Sequence, residues 1–517
     1  MGLPAYKNEP YLDWSDEKNV EAMRGALKKV GDDLGREYPL IVGGARVETD
    51  GEIPSVNPAN PSQVVGHVGR ATEREADMAL ETATSAFESW SRTEPEARAR
   101  ILLRAAATMR RRKLEMLAWE VYESGKPWAE ADAQVAEAID FLEYYAREML
   151  RVKDGKDVYS VAGEENEYFY QPMGVGVVIA PWNFPTAILT GMSSAAIVTG
   201  NTVVLKPSEH TSVTGAKVTA ILEEAGLPEG VLNFLPGYGS EIGDYLVSDA
   251  RTRFISFTGS MKTGLRINEL AAKQQEGQRW IKRVIVETGG KDALVVDDSA
   301  DLDAAAEDLV KSAYGYAGQK CSAASRAILH QDIYDEVLQK VVEKTRALNV
   351  GVPNNPEVFM GPVQNEPQFE KVANYIEVGD EEAERVLGEN PGDGGQGYFV
   401  KPTIYSEVDS EARIAREEIF GPVLSVLKAR DFDEALKIAN DTPYGLTGGV
   451  YSRNRDHLEQ ARTEFKAGNV YFNRGITGAL VGVQPFGGYG LSGTDSKAGG
   501  PDYLPLHMLP RTVVERF

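Results

Sequence analysis

The sequence predicts an α/β protein made of two parallel-sheet units, and three observations predict it. The chain has 517 residues, more than one compact core accommodates. From Val175 onward, short apolar runs alternate with helical stretches, as strands buried on both faces of a parallel sheet do. The same series restarts after Glu287, which puts a boundary near that residue.

Taken in order, residues 15–35 and 72–150 read as mostly helical. Apolar side chains recur there at spacings of three and four, as in Ile101, Leu102, Ala105, Ala106 and Met109, then Leu114, Leu117 and Val121. Ile41, Val42, Gly43 and Gly44 followed by Val47 read as a short hairpin. The first series of buried strands is Val175–Ala180, Thr202–Leu205, Val231–Leu235 and Phe254–Phe257. The second is Ala293–Val296, Arg326–Leu329, Val423–Val426 and Gly448–Tyr451, with a Gly-rich surface loop over Gly388–Gly397. No internal repeat is present.

The composition is that of a globular protein, 42% hydrophobic and 26% charged, with a formal net charge of −23. That charge excludes nucleic acid and anionic membrane as partners, because both need a basic face. The acid excess, spread over the whole chain, predicts a protein suited to a salt-rich cytoplasm, where counterions screen its self-repulsion. The N-terminal residues lack the apolar core of a signal peptide. Gly2 is not followed by the Ser or Thr that myristoylation needs, since Tyr6 stands there. The most membrane-like window, Ile188–Leu205, is broken by Gly191, Ser193, Ser194, Gly200 and Asn201 and reads as a buried helix followed by a strand. With one cysteine and no export signal, the expected compartment is the cytoplasm.

That cysteine, Cys321, cannot form an intramolecular disulfide and lies beside Lys320 in Gly318–Ala323. Upstream stands Glu287 in Val286-Glu287-Thr288-Gly289-Gly290-Lys291. A solitary thiol and a carboxylate beside a glycine turn suit a nucleophile and its base, while a buried structural cysteine is the plain alternative. At the end of the first buried run, Asn183 in Pro181-Trp182-Asn183-Phe184-Pro185 either closes a turn or donates to an oxyanion. The next strand ends in Lys206-Pro207-Ser208-Glu209. These residues either start a helix or hold an adenosine ribose, with the Glu209 carboxylate favouring NAD over NADP. Thr258-Gly259-Ser260 opens a helix in a way that lets a pyrophosphate approach, although no G-x-G-x-x-G fingerprint is present. Phe420 in Glu418-Ile419-Phe420-Gly421-Pro422 and Phe486 in Pro485-Phe486-Gly487-Gly488 either wall a pocket or pack beneath a loop.

These motifs, in this order, resemble the aldehyde dehydrogenase superfamily over essentially the whole chain. The segments Gly478–Gly488 and Ser492–Tyr503, with the early Asn8-Glu9-Pro10, are similar to its 1-pyrroline-5-carboxylate dehydrogenase branch. The resemblance implies a Rossmann-type NAD-binding domain (1–150 and 172–286), an α/β catalytic domain (287–490) and a small β oligomerisation flap (151–171 and 491–517). It implies NAD-dependent oxidation of L-glutamate γ-semialdehyde to L-glutamate through a thioester on Cys321. Asn183 would serve the oxyanion, and Glu287 would activate water, swinging on the Gly289–Gly290 turn. Trp182, Lys206, Ser208, Glu209, Gly259, Ser260, Glu418 and Phe420 would hold NAD. Gly478, Ala479, Lys320 and Ser322 would bind the substrate carboxylate. Glu137 would meet its ammonium, and Phe184 and Phe486 its aliphatic stem. The partners implied are a small aldehyde, further copies of the chain in a homo-oligomer and, as a candidate, a proline dehydrogenase. Oxidation of another ω-aldehyde such as succinate semialdehyde, acyl transfer to CoA and a non-catalytic scaffold are the competing readings. The 478–503 segment and the presence of Cys321 and Glu287 weigh against them.

Overall fold

The structure is a computed structural model that describes residues 3–392 and 394–517, so Gly2 and Asp393 of the Gly388–Gly397 loop lie outside the described residues. Two seven-stranded sheets dominate it. The first runs Arg283–Glu287, Thr252–Thr258, Val175–Ile179, Thr202–Lys206, Leu232–Phe234, Leu40–Val42 and Ala45–Val47. Its first five strands are parallel, and the Leu40–Val47 hairpin joins antiparallel at one end. The second runs Glu384–Leu387, Thr403–Ser406, Val423–Ala429, Ala324–His330, Asp292–Val296, Thr447–Tyr451 and Asn469–Phe472, with only Glu384–Leu387 antiparallel. Strands such as Thr202–Lys206 and Asp292–Val296 are buried along their entire length because helices cover both faces.

The predicted helical stretch 72–150 resolves into Glu73–Trp90, Pro95–Arg111, Lys113–Ser124 and Trp128–Val152, and 15–35 into Glu17–Gly31. The window Ile188–Leu205 is the buried helix Ala187–Val198 followed by a strand. Among the described residues no helix is long and apolar enough to cross a membrane.

Two smaller sheets complete the architecture. Arg36–Tyr38, Asn60–Gly69 and Glu52–Asn57 form one, and Glu164–Pro172 pairs antiparallel with Met508–Arg516 in a two-stranded ribbon. The sheets meet where it matters for the site. Glu287 ends an edge strand of the first sheet, and Asp292 begins an inner strand of the second only a few residues later. Strand Ala324–His330, beside it, starts just after Cys321.

Candidate active site

A cavity of about 160 Å³ opens at this junction. Its lining brings together nine residues singled out from the sequence: Cys321, Glu287, Lys320, Ser322, Phe184, Phe486, Gly478, Ala479 and Glu137. The helix Trp128–Val152 contributes Ala133, Glu137, Asp140 and Phe141, which its period of 3.6 sets on one face.

Cys321 is half-buried and free. Burial pushes its thiol well above the ordinary range, and the carboxylates of Asp292, Glu287, Glu418 and Glu137 add to the shift. The neighbouring Lys320 does not offset this, because its ammonium pairs with Glu130 at 2.7 Å. The thiol is therefore protonated at neutral pH in this state of the site. The turn ahead of it is strained: Tyr316 and Ala317 are buried with φ of 53° and 55°, a region L-residues rarely adopt.

Asn183 is buried and does not line the cavity; its side-chain Nδ2 donates to the Gln319 carbonyl at 3.0 Å, two residues before the cysteine. Its own carbonyl accepts from Lys126 Nζ at 2.6 Å. Lys126 is itself buried, pairs with Glu120 at 3.0 Å and sits over the rings of Phe184 and Tyr316 at 5.2 and 4.5 Å. One cation thus ties the Trp182–Phe184 segment to the cysteine turn.

Glu287 accepts from the Gly488 N–H at 3.3 Å and from the Ser496 hydroxyl. Burial raises its carboxyl to about 8, against the opposing pull of Ser496, Gly488 and Lys497. Gly289 and Gly290 are glycines because of close approach. A Cβ on Gly289 would lie 1.7 Å from Glu418 Oε1, and one on Gly290 2.8 Å from the Cys321 carbonyl oxygen. The space beside Gly289 is filled by Glu418, which accepts from the Gly290 N–H at 3.2 Å, and the space beside Gly290 by Asp292.

Of the residues expected to bind a dinucleotide, Trp182, Lys206, Ser208, Glu209, Gly259 and Ser260 lie at or just beyond the carboxyl ends of three adjacent strands, while Glu418 and Phe420 precede strand Val423–Ala429 of the second sheet. Lys206 is buried, donates to the Pro207 carbonyl at 3.1 Å and lies 3.6 Å from Glu209. Ser208 Oγ accepts from the His210 N–H at 3.3 Å. Gly259 packs against the Phe257 ring, which a Cβ would meet at 2.5 Å, and its N–H donates to the Glu287 carbonyl at 3.1 Å. Ser260 caps the helix Met261–Ala272 by accepting from the Thr263 N–H. Trp182 meets Phe420 edge to face at 5.4 Å, which joins the loop after strand Val175–Ile179 to the loop before strand Val423–Ala429. Phe420 also has a positive φ of 61°.

Several neighbours were not singled out from the sequence. Ser496 and Gly488, which hold Glu287, belong to a tail that folds back along the edge strand. Thr494 N–H donates to the Val286 carbonyl at 2.9 Å, and Thr288 N–H to the Ser492 carbonyl at 2.8 Å. Lys497 donates to the Gly468 and Gly487 carbonyls at 2.6 and 2.7 Å. Lys126, Glu120, Tyr11 and Asp140 carry no local motif that would have marked them.

A thiol and a carboxyl share one cavity between two largely parallel sheets, an arrangement that suits an oxidoreductase working through a cysteine. Comparison agrees: residues 46–513 match the model of the aldehyde dehydrogenase family, and the chain belongs to that family. It is 60% identical over 512 residues to 1-pyrroline-5-carboxylate dehydrogenase of Geobacillus thermodenitrificans, covering 99% of both chains. It is 55% identical to that of Bacillus subtilis, again over 99% of both. The crystal structure of 1-pyrroline-5-carboxylate dehydrogenase from Thermus with bound NAD superposes with a TM-score of 0.98 at 55% identity, covering 100% of both chains.

Proposed function

We propose that the chain catalyses the NAD-dependent oxidation of L-glutamate γ-semialdehyde, the open form of 1-pyrroline-5-carboxylate, to L-glutamate, the second step of proline degradation. The observation that carries this reading is one cavity holding Cys321 and Glu287 together with Gly478 and Ala479, in a chain that matches 1-pyrroline-5-carboxylate dehydrogenases end to end.

The donor set suits NAD. Glu209 offers a carboxylate to a ribose diol and disfavours a 2′-phosphate there. Lys206 supplies a cation, and the helix opening at Ser260 provides an N-terminus for the pyrophosphate. Ser208 and Gly259 complete that side. Glu418 would hold the second ribose, with Trp182 and Phe420 walling the ring. Bound there, NAD supplies the hydride acceptor.

The chain's own part is acid–base and nucleophilic. The Cys321 thiol first gives up its proton to water in the cavity, and the Sγ thiolate then adds to the aldehyde carbon. The Cys321 N–H and Asn183 Nδ2 stabilise the resulting oxyanion. Only one of the two Nδ2 hydrogens is engaged by Gln319, so the other remains for this task. Loss of hydride leaves Cys321 acylated as a thioester. Glu287 then takes a proton from the water that attacks it, releasing glutamate and the thiol. Gly478, Ala479, Lys320 and Ser322 receive the carboxylate, Glu137 the ammonium, and Phe184 and Phe486 the stem between them.

The compartment proposed is the cytoplasm and the assembly a homo-oligomer. Val514 and Phe517 at one end of the ribbon, and Tyr159 and Val161 beside it, are exposed apolar side chains that a second copy would cover. A proline dehydrogenase, whose product is this substrate, is the proposed partner.

The test compares NAD reduction with pyrroline-5-carboxylate, succinate semialdehyde and acetaldehyde. The first should have the highest kcat/KM, and Cys321→Ser should abolish turnover of all three. Preference for succinate semialdehyde would overturn the substrate assignment.

A further inference from the structure

The family match begins at residue 46, yet chain well ahead of it reaches the substrate cavity. Tyr11 stands in the cavity wall beside Glu137 and Asp140. The segment Tyr6–Leu12 has no regular secondary structure and lies along the helix Trp128–Val152, held at two places. Near its start, both oxygens of Asp140 are taken. Oδ1 accepts from the Glu9 N–H at 2.7 Å and Oδ2 from Asn8 Nδ2 at 2.8 Å. At its end, Asp132 accepts from the Leu12 N–H at 2.5 Å and pairs with Lys113 at 2.6 Å. Asp140 and Asp132 are only 3% and 1% exposed, so these contacts are sheltered from water.

The strap also grips the loop across the cavity. Asn8 Nδ2 donates to the Val481 carbonyl at 2.9 Å, and the Tyr6 hydroxyl donates to the same carbonyl at 3.1 Å. Gly482, with φ of 76°, lies so close that a Cβ would stand 3.0 Å from the Tyr6 and Tyr144 rings. Val481 and Gly482 follow Gly478 and Ala479 in the same loop, one residue further on. A helix carboxylate, an asparagine amide and a loop carbonyl therefore form one continuous tie from the helix, through the strap, to the loop.

We propose that this strap is a specificity element, in which Asn8 and Asp140 are positioning residues that fix the Gly478–Ala479 backbone for the carboxylate of an amino-acid aldehyde. The inference rests on the role given above to Gly478 and Ala479. The Cys321 and Glu287 chemistry does not depend on the tie, because none of its bonds touches either residue. Cutting the tie leaves the Val481 carbonyl and the Asp140 carboxylate short of donors, and the loop shifts to recover them. Misplacement of a binding group by about 1 Å costs as much as ~10²-fold in rate.

The experiment is steady-state kinetics of the full chain with pyrroline-5-carboxylate and with propanal, which has neither carboxylate nor ammonium. For Asn8→Ala, the expected result is a kcat/KM lower by about 10- to 100-fold on pyrroline-5-carboxylate, carried by KM, with propanal kinetics within about twofold of the parent. Asn8→Ser, which keeps a shorter donor, should fall between the parent and Asn8→Ala. Equal losses on both aldehydes would mark a merely structural contact and overturn the proposal, as would no loss on either. A parent chain that oxidises propanal but not pyrroline-5-carboxylate would refute the substrate assignment itself, which the variants cannot mimic.

Discussion

Glu287 ends an edge strand with its carboxyl raised by burial to about 8, so at neutral pH it carries a proton in the folded protein and loses it on unfolding. The sign follows from linkage: between the unfolded value near ~4.3 and about 8 the folded state binds the extra proton, so stability falls as pH rises through that window. Glu287→Gln should flatten this slope in a series of melting temperatures against pH. In the proposed mechanism deacylation needs the carboxylate, so kcat should rise with pH towards 8 wherever this step limits turnover. In Glu287→Gln one equivalent of NADH per site should form in a burst, followed by a steady rate lower by ~10²–10⁴-fold. A steady rate equal to the parent's would remove Glu287 from that role. Ser496 donates to the same carboxyl and holds its pKa down. Ser496→Ala should move the rising limb of the kcat–pH profile upward, and a downward move would contradict the hydrogen bond. Cys321 and Glu287 were legible in the sequence because their neighbours are contiguous. Ser496 was not, because its contact depends on a tail that returns from over two hundred residues away.

At the scale of elements, the link Thr288–Lys291 joins the two sheets, and its glycines serve packing. Gly289→Ala should push Glu418 aside, since the added carbon would lie 1.7 Å from its Oε1. The expected outcome is a KM for NAD raised about tenfold or more, with the circular dichroism spectrum unchanged. Unaltered NAD kinetics would separate Glu418 from the cofactor. The buried parallel strands were readable because helices on both faces demand unbroken apolar runs such as Val203-Val204-Leu205 and Leu294-Val295-Val296. Strand Glu52–Asn57 was not, because two of the three side chains it buries are the polar Ser55 and Asn57, which satisfy themselves on Glu123 and Gln63. The ribbon strand Glu164–Pro172 came only from the family resemblance, because its side chains are mostly polar and its backbone is satisfied by the distant Met508–Arg516.

Over the whole molecule the net charge of −23 acts as a collective repulsion, partly met by surface pairs such as Arg46 with Glu223 and Arg251 with Asp77. Added salt weakens both terms, but the unpaired excess is the larger, and the screening length shrinks from about 10 Å at 0.1 M to about 3 Å at 1 M. The melting temperature should therefore climb by several degrees between dilute and molar NaCl; equal stability in both would dismiss the salt-rich setting. The amino-acid order alone determined the α/β class, the doubling of the sheet, the family and the thiol–carboxylate pair, because each is written in local periodicity or in contiguous motifs. Only the tertiary structure decided that Lys320 answers Glu130, that Ser496 holds Glu287, and that Tyr11, ahead of the family match, lines the cavity. Those outcomes depend on which distant side chains become neighbours in a low-dielectric interior, where burial sets the charge of each group.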